Sequence, residues 1–138
     1  MHIRFLTILM SLFLLSGCMT QADKQQQADQ LLHQLHQAIQ TQQWDQAKKL
    51  FDANFFKLQP ETIWRQNIIE TQKSLGKMIS FNLASKSKDP RFSGDFYVYI
   101  IAIQHEHGFS NETVTIFNSL DSDQLTIAGY LLTTRSNQ

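Results

Sequence analysis

Two histidines separated by a single residue are the first candidates for metal chemistry. His105, Glu106 and His107 follow an apolar run, and alternate side chains of an extended strand lie on one side, about 6–7 Å apart. Two imidazoles could begin a Zn²⁺ or Cu²⁺ site, with Glu112 beyond the next turn as a third ligand. The adjacent Gly108 favours a simpler interpretation, in which both histidines are solvated at a strand end. We therefore expect neither a bound metal nor another cofactor.

Two carboxylates, Asp95 and Glu112, lie closest to the predicted strands. A carboxylate enclosed in an apolar pocket would have a shifted pKa that suits acid–base catalysis. Both residues fall near predicted strand ends, where roles in turns or at sheet edges are more common. We therefore assign no catalytic residue and expect a protein that is not an enzyme.

Four aromatic residues could line a binding cavity: Tyr97, Tyr99, Phe117 and Tyr130. An aromatic ring with a polar tip suits the wall of a site for an apolar ligand or a peptide. The same residues equally suit a filled hydrophobic core, and core packing is the interpretation that we favour.

The only cysteine of the chain, Cys18, has the most specific sequence context. Arg4 is followed by an apolar run over residues 5–15 and by the small residues Ser16 and Gly17. This layout is typical of a secretory signal peptide, and the apolar run is well short of the roughly 20 residues that a membrane-spanning helix needs. A single cysteine cannot form an internal disulfide, so attachment of a lipid would give an exported thiol a purpose.

The segment Leu15-Ser16-Gly17-Cys18 resembles the lipobox of bacterial lipoproteins. The resemblance implies cleavage after residue 17, a thioether from Cys18 to diacylglycerol, and acylation of the new amino group with a chain such as palmitate. Three acyl chains anchor a protein firmly, whereas one gives only marginal binding. Because Met19 rather than an aspartate follows, the resemblance favours the periplasmic side of the outer membrane, with the inner membrane and the cell surface as alternatives. An ordinary signal peptide with an accidental cysteine is the competing interpretation.

Cleavage at that point would leave 121 of the 138 residues, enough for one domain. The segment removed contains one charged residue, Arg4, so 11 basic side chains would face 12 acidic ones. No basic run is present, which argues against a nucleic-acid partner. We assign the lipidated cysteine and a short tether to residues 18–24, and a single domain to residues 25–135.

Periodic apolar residues predict three helices in the first half of this domain. The first covers residues 25–40, with His33 and His36 interpreted as polar residues beside its apolar stripe. The second covers residues 43–53, and an apolar connector follows it. Pro60 suits the start of the third helix. Its predicted buried residues are Ile63, Trp64, Ile68 and Leu75, and Gly76 suits its end.

The second half alternates between strand and turn patterns. Predicted strands cover residues 78–83, 96–104, 113–118 and 125–134, with a polar loop over 85–94 and a turn over 107–111. Helices followed by strands indicate an α+β fold, in which three N-terminal helices pack on a curved, mainly antiparallel, four-stranded sheet.

The strand over residues 96–104 is apolar on both of its faces. Tyr97, Tyr99 and Ile101 alternate with Val98 and Ile100, whereas a half-buried antiparallel strand normally alternates apolar with polar residues. We therefore expect both faces of the sheet to be covered. Helices can cover one face; sheet curvature, a homodimer partner or a ligand would have to cover the other.

Several short motifs follow one another along the chain in the order that is typical of one known fold family. They are Trp44, Trp64, Leu75-Gly76-Lys77, Gly94-Asp95-Phe96-Tyr97-Val98, Glu112-Thr113-Val114-Thr115 and Gly129-Tyr130. Over residues 28–134 the chain resembles exported bacterial domains of unknown function with the cone-shaped, cystatin-like fold of nuclear transport factor two and ketosteroid isomerase. That family usually has a tryptophan where Leu125-Thr126-Ile127 stands here. The resemblance implies a fold and no activity.

These features together predict a membrane-anchored periplasmic lipoprotein that serves as a non-enzymatic binding or assembly module. Its partners would be the membrane, through the lipid, and either a second copy or another envelope protein. The alternatives are a protein that binds a small apolar ligand within the cone and, less favoured, an enzyme of that fold.

Replacing the cysteine tests the anchor. In Cys18→Ser the lipid has no point of attachment, so the protein should leave the membrane fraction of the cell while its circular dichroism spectrum stays that of a folded domain. Cys18→Ser protein that sedimented with membranes as the original chain does would contradict the lipoprotein prediction.

Overall fold

The computed structural model describes residues 21–122 and 124–134, so the predicted signal peptide and Cys18 lie outside the described residues. The helices are α1 (Gln21–Gln40), α2 (Trp44–Lys49), α3 (Phe55–Leu58) and α4 (Glu61–Leu75). The strands are β1 (Met78–Arg91), β2 (Gly94–His105), β3 (Gly108–Ser119) and β4 (Leu125–Thr134). None of these helices combines the length and apolar character that a membrane span requires.

The strands form one antiparallel sheet in the order β1-β2-β3-β4, so each strand pairs with its neighbour in sequence. The helices cover one face of this curved sheet, and the predicted α+β fold is confirmed. Four helices rather than three occur among the described residues. The additional one, α3, replaces the predicted connector, and its single turn is closed by a 3.0 Å hydrogen bond from the amide of Gln59 to the carbonyl of Phe55.

Helix α1 begins at Gln21 rather than at residue 25, so part of the predicted tether is helical. Glutamine, alanine and lysine are good helix formers, and Asp23 in the first turn interacts favourably with the helix dipole. The fully buried residues of α1 include Ala28, Leu35 and His36. The interpretation of His36 as a flanking polar residue is therefore wrong.

Helix α2 ends at Lys49, earlier than the predicted residue 53, because the next residues pair with the outer edge of β4. The amide of Ile127 donates to the carbonyl of Leu50 at 2.9 Å, and the amide of Asp52 donates to the carbonyl of Ile127 at 2.9 Å. This short parallel pairing satisfies backbone groups that an edge strand would otherwise leave open.

Helix α4 follows Pro60, as predicted, and Trp64 is buried, as predicted. The prediction that Ile63 is buried is wrong, because its side chain is 52% exposed. The buried stripe of α4 runs instead through Trp64, Ile68 and Thr71, with helical spacings of four and three residues.

Strand β1 is continuous, so the polar loop predicted over residues 85–94 is wrong. An edge strand needs to bury only part of its surface, and polar side chains are therefore tolerated along it. The Lys86 ammonium lies 5.8 Å from the centre of the Tyr99 ring on β2, which places its aliphatic stem over the sheet. Pro90 is acceptable here because an edge strand does not require every backbone N–H.

The turn between β2 and β3 is also shorter than the predicted turn over residues 107–111. His105 pairs with Gly108, so Glu106 and His107 alone form the turn. The amide of His107 donates to the carbonyl of Leu75 at 2.8 Å. This bond fixes the turn against the end of α4.

The core lies between the helices and the inner face of the sheet. Its inner-face residues are Tyr97, Tyr99, Ile101, Ile103, Val114, Ile116, Leu125 and Ile127. On the helical side, the Trp64 ring makes edge contacts with Trp44 at 5.9 Å, Phe51 at 5.1 Å and Tyr130 at 6.0 Å between ring centres. Aromatic side chains therefore fill the space that a hollow cone would leave.

The outer face of the sheet is apolar and only partly covered in the single chain. Phe96 and Phe117, opposite each other on β2 and β3, stack at 4.6 Å between ring centres and are half-buried. Ile100 is 42% exposed and Leu131 is 59% exposed. Helices cover the inner face, as expected, whereas the described residues leave this outer face open to a partner.

Candidate functional site

The most unusual chemical feature of the core is an acid–base pair without solvent contact. The Nε2 atom of His36 on α1 lies within hydrogen-bonding distance of the Oε2 atom of Glu112 on β3. Both residues have 0% of their surface exposed. A buried carboxylate and a buried imidazole are each costly alone, so their pairing is what permits both to lie in the core.

Local structure explains how two polar residues reach this position. His36 falls four residues after Leu32 and three before Ile39, so the helical period turns it inward with them. Glu112 shares the alternation of Val114 and Ile116, which are inner-face residues of β3. The sequence interpretation of Glu112 as a strand-end residue is wrong, because it lies in the interior of β3.

Tyr130 of β4 adds a third polar group to this cluster. Burial raises the pKa of the Tyr130 phenol well above its ordinary value, and the charge of the nearby Glu112 carboxylate raises that pKa further. The phenol therefore remains a neutral hydrogen-bonding group beside the carboxylate. The three side chains bring together an acid, a base and a phenol from α1, β3 and β4.

The phenyl ring of Phe81 and strand β2 lie over the His36–Glu112–Tyr130 cluster. Phe81 of β1 contacts the imidazole of His36, with ring centres 4.1 Å apart. Ile101 of β2 is fully buried and opposite Glu112 in the sheet register. The Nδ1 atom of His36 is buried and has no hydrogen-bond partner among the described residues. Proton transfer within the pair is chemically possible, but a substrate would first have to displace Phe81.

A second polar cluster lies nearer the surface, where α1 crosses β1 and β2. The Tyr99 hydroxyl donates to Oδ1 of Asp29 at 2.7 Å and accepts from Nε2 of Gln25 at 2.8 Å. The Lys86 ammonium lies 3.2 Å from the same Asp29 oxygen. Burial raises the pKa of Tyr99, and the hydrogen bond to Asp29 adds to that rise.

A cleft of about 210 Å³ opens between these two clusters. Leu32, Phe81, Leu83 and Ile101 give it an apolar lining, and Asp29, His33, Lys86 and Tyr99 give it polar groups. Its volume is below the roughly 300 Å³ at which pockets for drug-sized ligands begin. The cleft could hold a small group that has an apolar body and one hydrogen-bonding end.

The structure separates the two histidines considered as metal ligands. His105 is buried, with Nδ1 at 3.1 Å from the Gly76 carbonyl and Nε2 at 2.8 Å from the Ser110 hydroxyl. His107 is exposed in the turn, and Glu112 lies farther along β3 in the pair with His36. Among the described residues, no three potential ligands of the histidine, cysteine or carboxylate type come together.

The four aromatic residues considered as a cavity wall lie on different faces of the sheet. Tyr97 and Tyr99 are 1% exposed on the inner face, and Tyr130 contacts the core cluster. Phe117 lies on the outer face against Phe96. The four side chains therefore do not line one space.

The other candidate carboxylate, Asp95, is at the beginning of β2. Its Oδ2 atom lies 2.8 Å from the ammonium of Lys88 on β1. This partly exposed ion pair joins two adjacent strands, and Asp95 lies near a strand end, as predicted, although β2 is an interior strand of the sheet.

No family model and no curated protein matches this sequence. Among solved structures, the chain is similar to the protein Bd1075 of Bdellovibrio bacteriovorus, with a TM-score of 0.54 and 14% sequence identity. The similarity covers 86% of this chain and 44% of that chain, so this chain spans less than half of the length of Bd1075. At this level of identity the likeness shows the fold alone.

The buried pair can be tested by replacing its members singly and together. His36→Leu or Glu112→Leu leaves the other polar group buried without its partner, so each should lower the free energy of unfolding by about 3–5 kcal/mol. The free energy of unfolding should fall less in the double variant than in either single variant, because two apolar side chains replace the whole pair. Unfolding in denaturant measures all three differences.

Glu70→Leu is the matched control for this cycle, because Glu70 is an exposed carboxylate. It should change the free energy of unfolding by less than about 0.5 kcal/mol. Single variants of the pair that cost no more than Glu70→Leu would show that the pair does not stabilise the fold.

The tyrosines predict how stability changes at alkaline pH. All 3 tyrosines have a raised pKa, and burial is the largest cause for each. Above pH ~10 the unfolded chain loses phenolic protons that the folded chain keeps. The free energy of unfolding should therefore fall as the pH rises beyond that value.

Ultraviolet absorbance of phenolate, recorded together with near-ultraviolet circular dichroism, measures this effect. Phenolate should appear in the same cooperative transition in which tertiary structure is lost. Phenolate formed near pH 10 in a protein that kept its folded dichroism would contradict the prediction.

Proposed function

We propose that the protein is a lipid-anchored, non-enzymatic binding or assembly module of the bacterial envelope, held by Cys18 at the periplasmic side of the outer membrane. The observation that carries the binding function is the open apolar outer face of the sheet. Ile100 and Leu131 are exposed on this face, four residues along β2 from the stacked rings of Phe96 and Phe117. Exposed apolar surface of this kind is typical of protein interaction sites.

The placement of the acid–base groups supports a role in binding rather than turnover. His36 and Glu112 have no exposed surface and lie behind Phe81. A catalytic acid or base must come within hydrogen-bond reach of the reacting atom. In this arrangement the pair holds α1 to the sheet and is not available to another molecule.

A photo-crosslinking amino acid tests the outer face in intact cells. In the full chain, a benzophenone side chain at Ile100 should give a discrete covalent adduct, and one at Leu131 should give the same adduct. The control position is Leu58 on α3, which is 90% exposed and away from this face. Mass spectrometry of the adduct distinguishes a second copy of this chain from another envelope protein.

Ile100→Glu should remove the adduct formed from position 131, because a charge at the centre of an apolar contact is costly to desolvate. The absence of an adduct from both outer-face positions, or identical adducts from Leu58, would overturn the proposed binding face.

A second candidate function is binding of a small ligand in the cleft between α1 and β1. The observation that favours it is the meeting of an apolar lining with the hydrogen-bonded Tyr99 and Asp29. Native mass spectrometry of the protein purified from cells would detect such a ligand. Leu83→Asp places a charge in the apolar lining, so the additional mass of the ligand should be absent from this variant.

A further inference from the structure

Two large apolar side chains project from adjacent turns at one end of the sheet. Phe92, in the turn between β1 and β2, is 100% exposed, and Leu120, in the turn after β3, is 73% exposed. The amide of Leu120 donates to the carbonyl of Ser93 at 3.2 Å, so the two turns are joined. We call Phe92 and Leu120 the apolar tip. Transfer of two neighbouring exposed apolar side chains from water into an apolar phase is favourable, and such a group marks a candidate contact site.

The direction of α1 places its N-terminus toward the same end. Asp29 contacts Lys86, His36 contacts Phe81, and farther along α1 Gln40 contacts Met78. The contacts thus move backward along β1 as they move forward along α1. The start of α1 therefore points toward the end of β1 that leads into Phe92.

The distance from that helix to the expected anchor is short. Cys18 lies three residues before Gln21, the first described residue of α1. Three residues span at most about 11 Å when fully extended. A lipid on Cys18 would hold this end of the domain against the bilayer, and the apolar tip would then face the lipid.

Charged residues of both signs flank the tip: Arg91 precedes Phe92, and the exposed Asp121 follows Leu120 and would have to stay at the level of the lipid headgroups. Arg91 next to Phe92 is paired with Asp89 at 2.7 Å and lies 5.1 Å above the Phe96 ring, so it brings a compensated charge. A long cationic side chain at this depth can place its head among the phosphates while its stem contacts apolar groups. The apolar side chains, rather than net charge, would carry the contact.

We propose that Phe92 and Leu120 insert into the interfacial region of the bilayer as a second membrane contact beside the lipid on Cys18. The domain then stands end-on, with its strands directed away from the membrane surface. This inference rests on the proposed lipid anchor for its orientation, although the tip and the anchor can be measured separately.

The single cysteine makes a direct test possible. In the full lipidated chain the Cys18 thiol is consumed by the thioether, so Phe92→Cys carries the only free thiol for an environment-sensitive dye. Phe109→Cys is the matched control, because Phe109 is an exposed phenylalanine, 59% accessible, at the opposite end of the same sheet. Both proteins are reconstituted in phosphatidylcholine vesicles that contain a nitroxide-labelled phospholipid.

The dye at position 92 should be quenched several-fold more than the dye at position 109. Raising the salt concentration should not alter the quenching, because an apolar contact is not screened. In Phe92→Cys the dye stands in place of the phenyl ring, and Leu120→Ser, which removes the other apolar side chain of the tip, should reduce quenching at position 92. Equal quenching at the two positions, or none at either, would overturn the inference. Preferential adduct formation with a protein rather than lipid from a photo-crosslinker at position 92 would overturn it as well.

The mass of the purified protein decides the anchor independently. If the mass includes the acyl chains but position 92 is not quenched, the lipid anchor is supported and membrane insertion of the apolar tip is refuted. A mass without acyl chains refutes the anchor. Quenching at position 92 in the Cys18→Ser variant, labelled in the same way, would then show that the tip binds lipid on its own.

Discussion

The contact between His36 and Glu112 sets the position of α1 on the sheet. Apolar contacts are not directional, so leucine and isoleucine alone leave room for small adjustments of a helix on a sheet. A buried imidazole and a buried carboxylate permit no such adjustment, since each loses its partner if the helix moves. Seven residues earlier, Asp29 makes a second polar contact with Tyr99 and Lys86, and the two contacts together define the direction of α1 relative to β1.

The two edges of the sheet are protected in different ways. At β4, residues 50–52 add a short stretch of parallel backbone pairing, and the same segment carries Phe51 into contact with Trp64. At β1, lysines, serines and Pro90 occupy much of the strand, and such residues discourage pairing with another chain. Both edges thus carry features that disfavour strand addition, whereas the outer face is apolar, and this contrast favours binding through the face.

The parts of the fold that sequence reasoning recovered are those with a local pattern. The apolar stripe of α1, the proline before α4 and the run of residues 96–104 each identify an element without knowledge of its neighbours. The continuous β1 was missed because its polar residues are explained only by its place at the edge. Ile63 was misplaced because α2 and α3, not α4 alone, determine which side of α4 is inward.

The central pair of the candidate site was missed for a related reason. His36 and Glu112 each fall on the apolar side of their own element, and that spacing was visible in the sequence. Local patterns favour a flanking polar role for His36 and a strand-end role for Glu112, because a buried histidine is reasonable only when its partner is known. That partner lies 76 residues away, beyond any local pattern.

The order of the elements has a consequence for how the chain acquires its structure. Every strand pairs with its neighbour in sequence, so the sheet can assemble from successive hairpins with short loop closures. Helix α1 is synthesised first, yet Glu112 is made only when most of the chain is complete. Part of its apolar stripe can pack on α2 as soon as that helix is made, but His36 has no partner until β3 exists. Helix α1 can therefore reach its final position only late in synthesis, and its polar inward residue and apolar stripe need protection from aggregation before then.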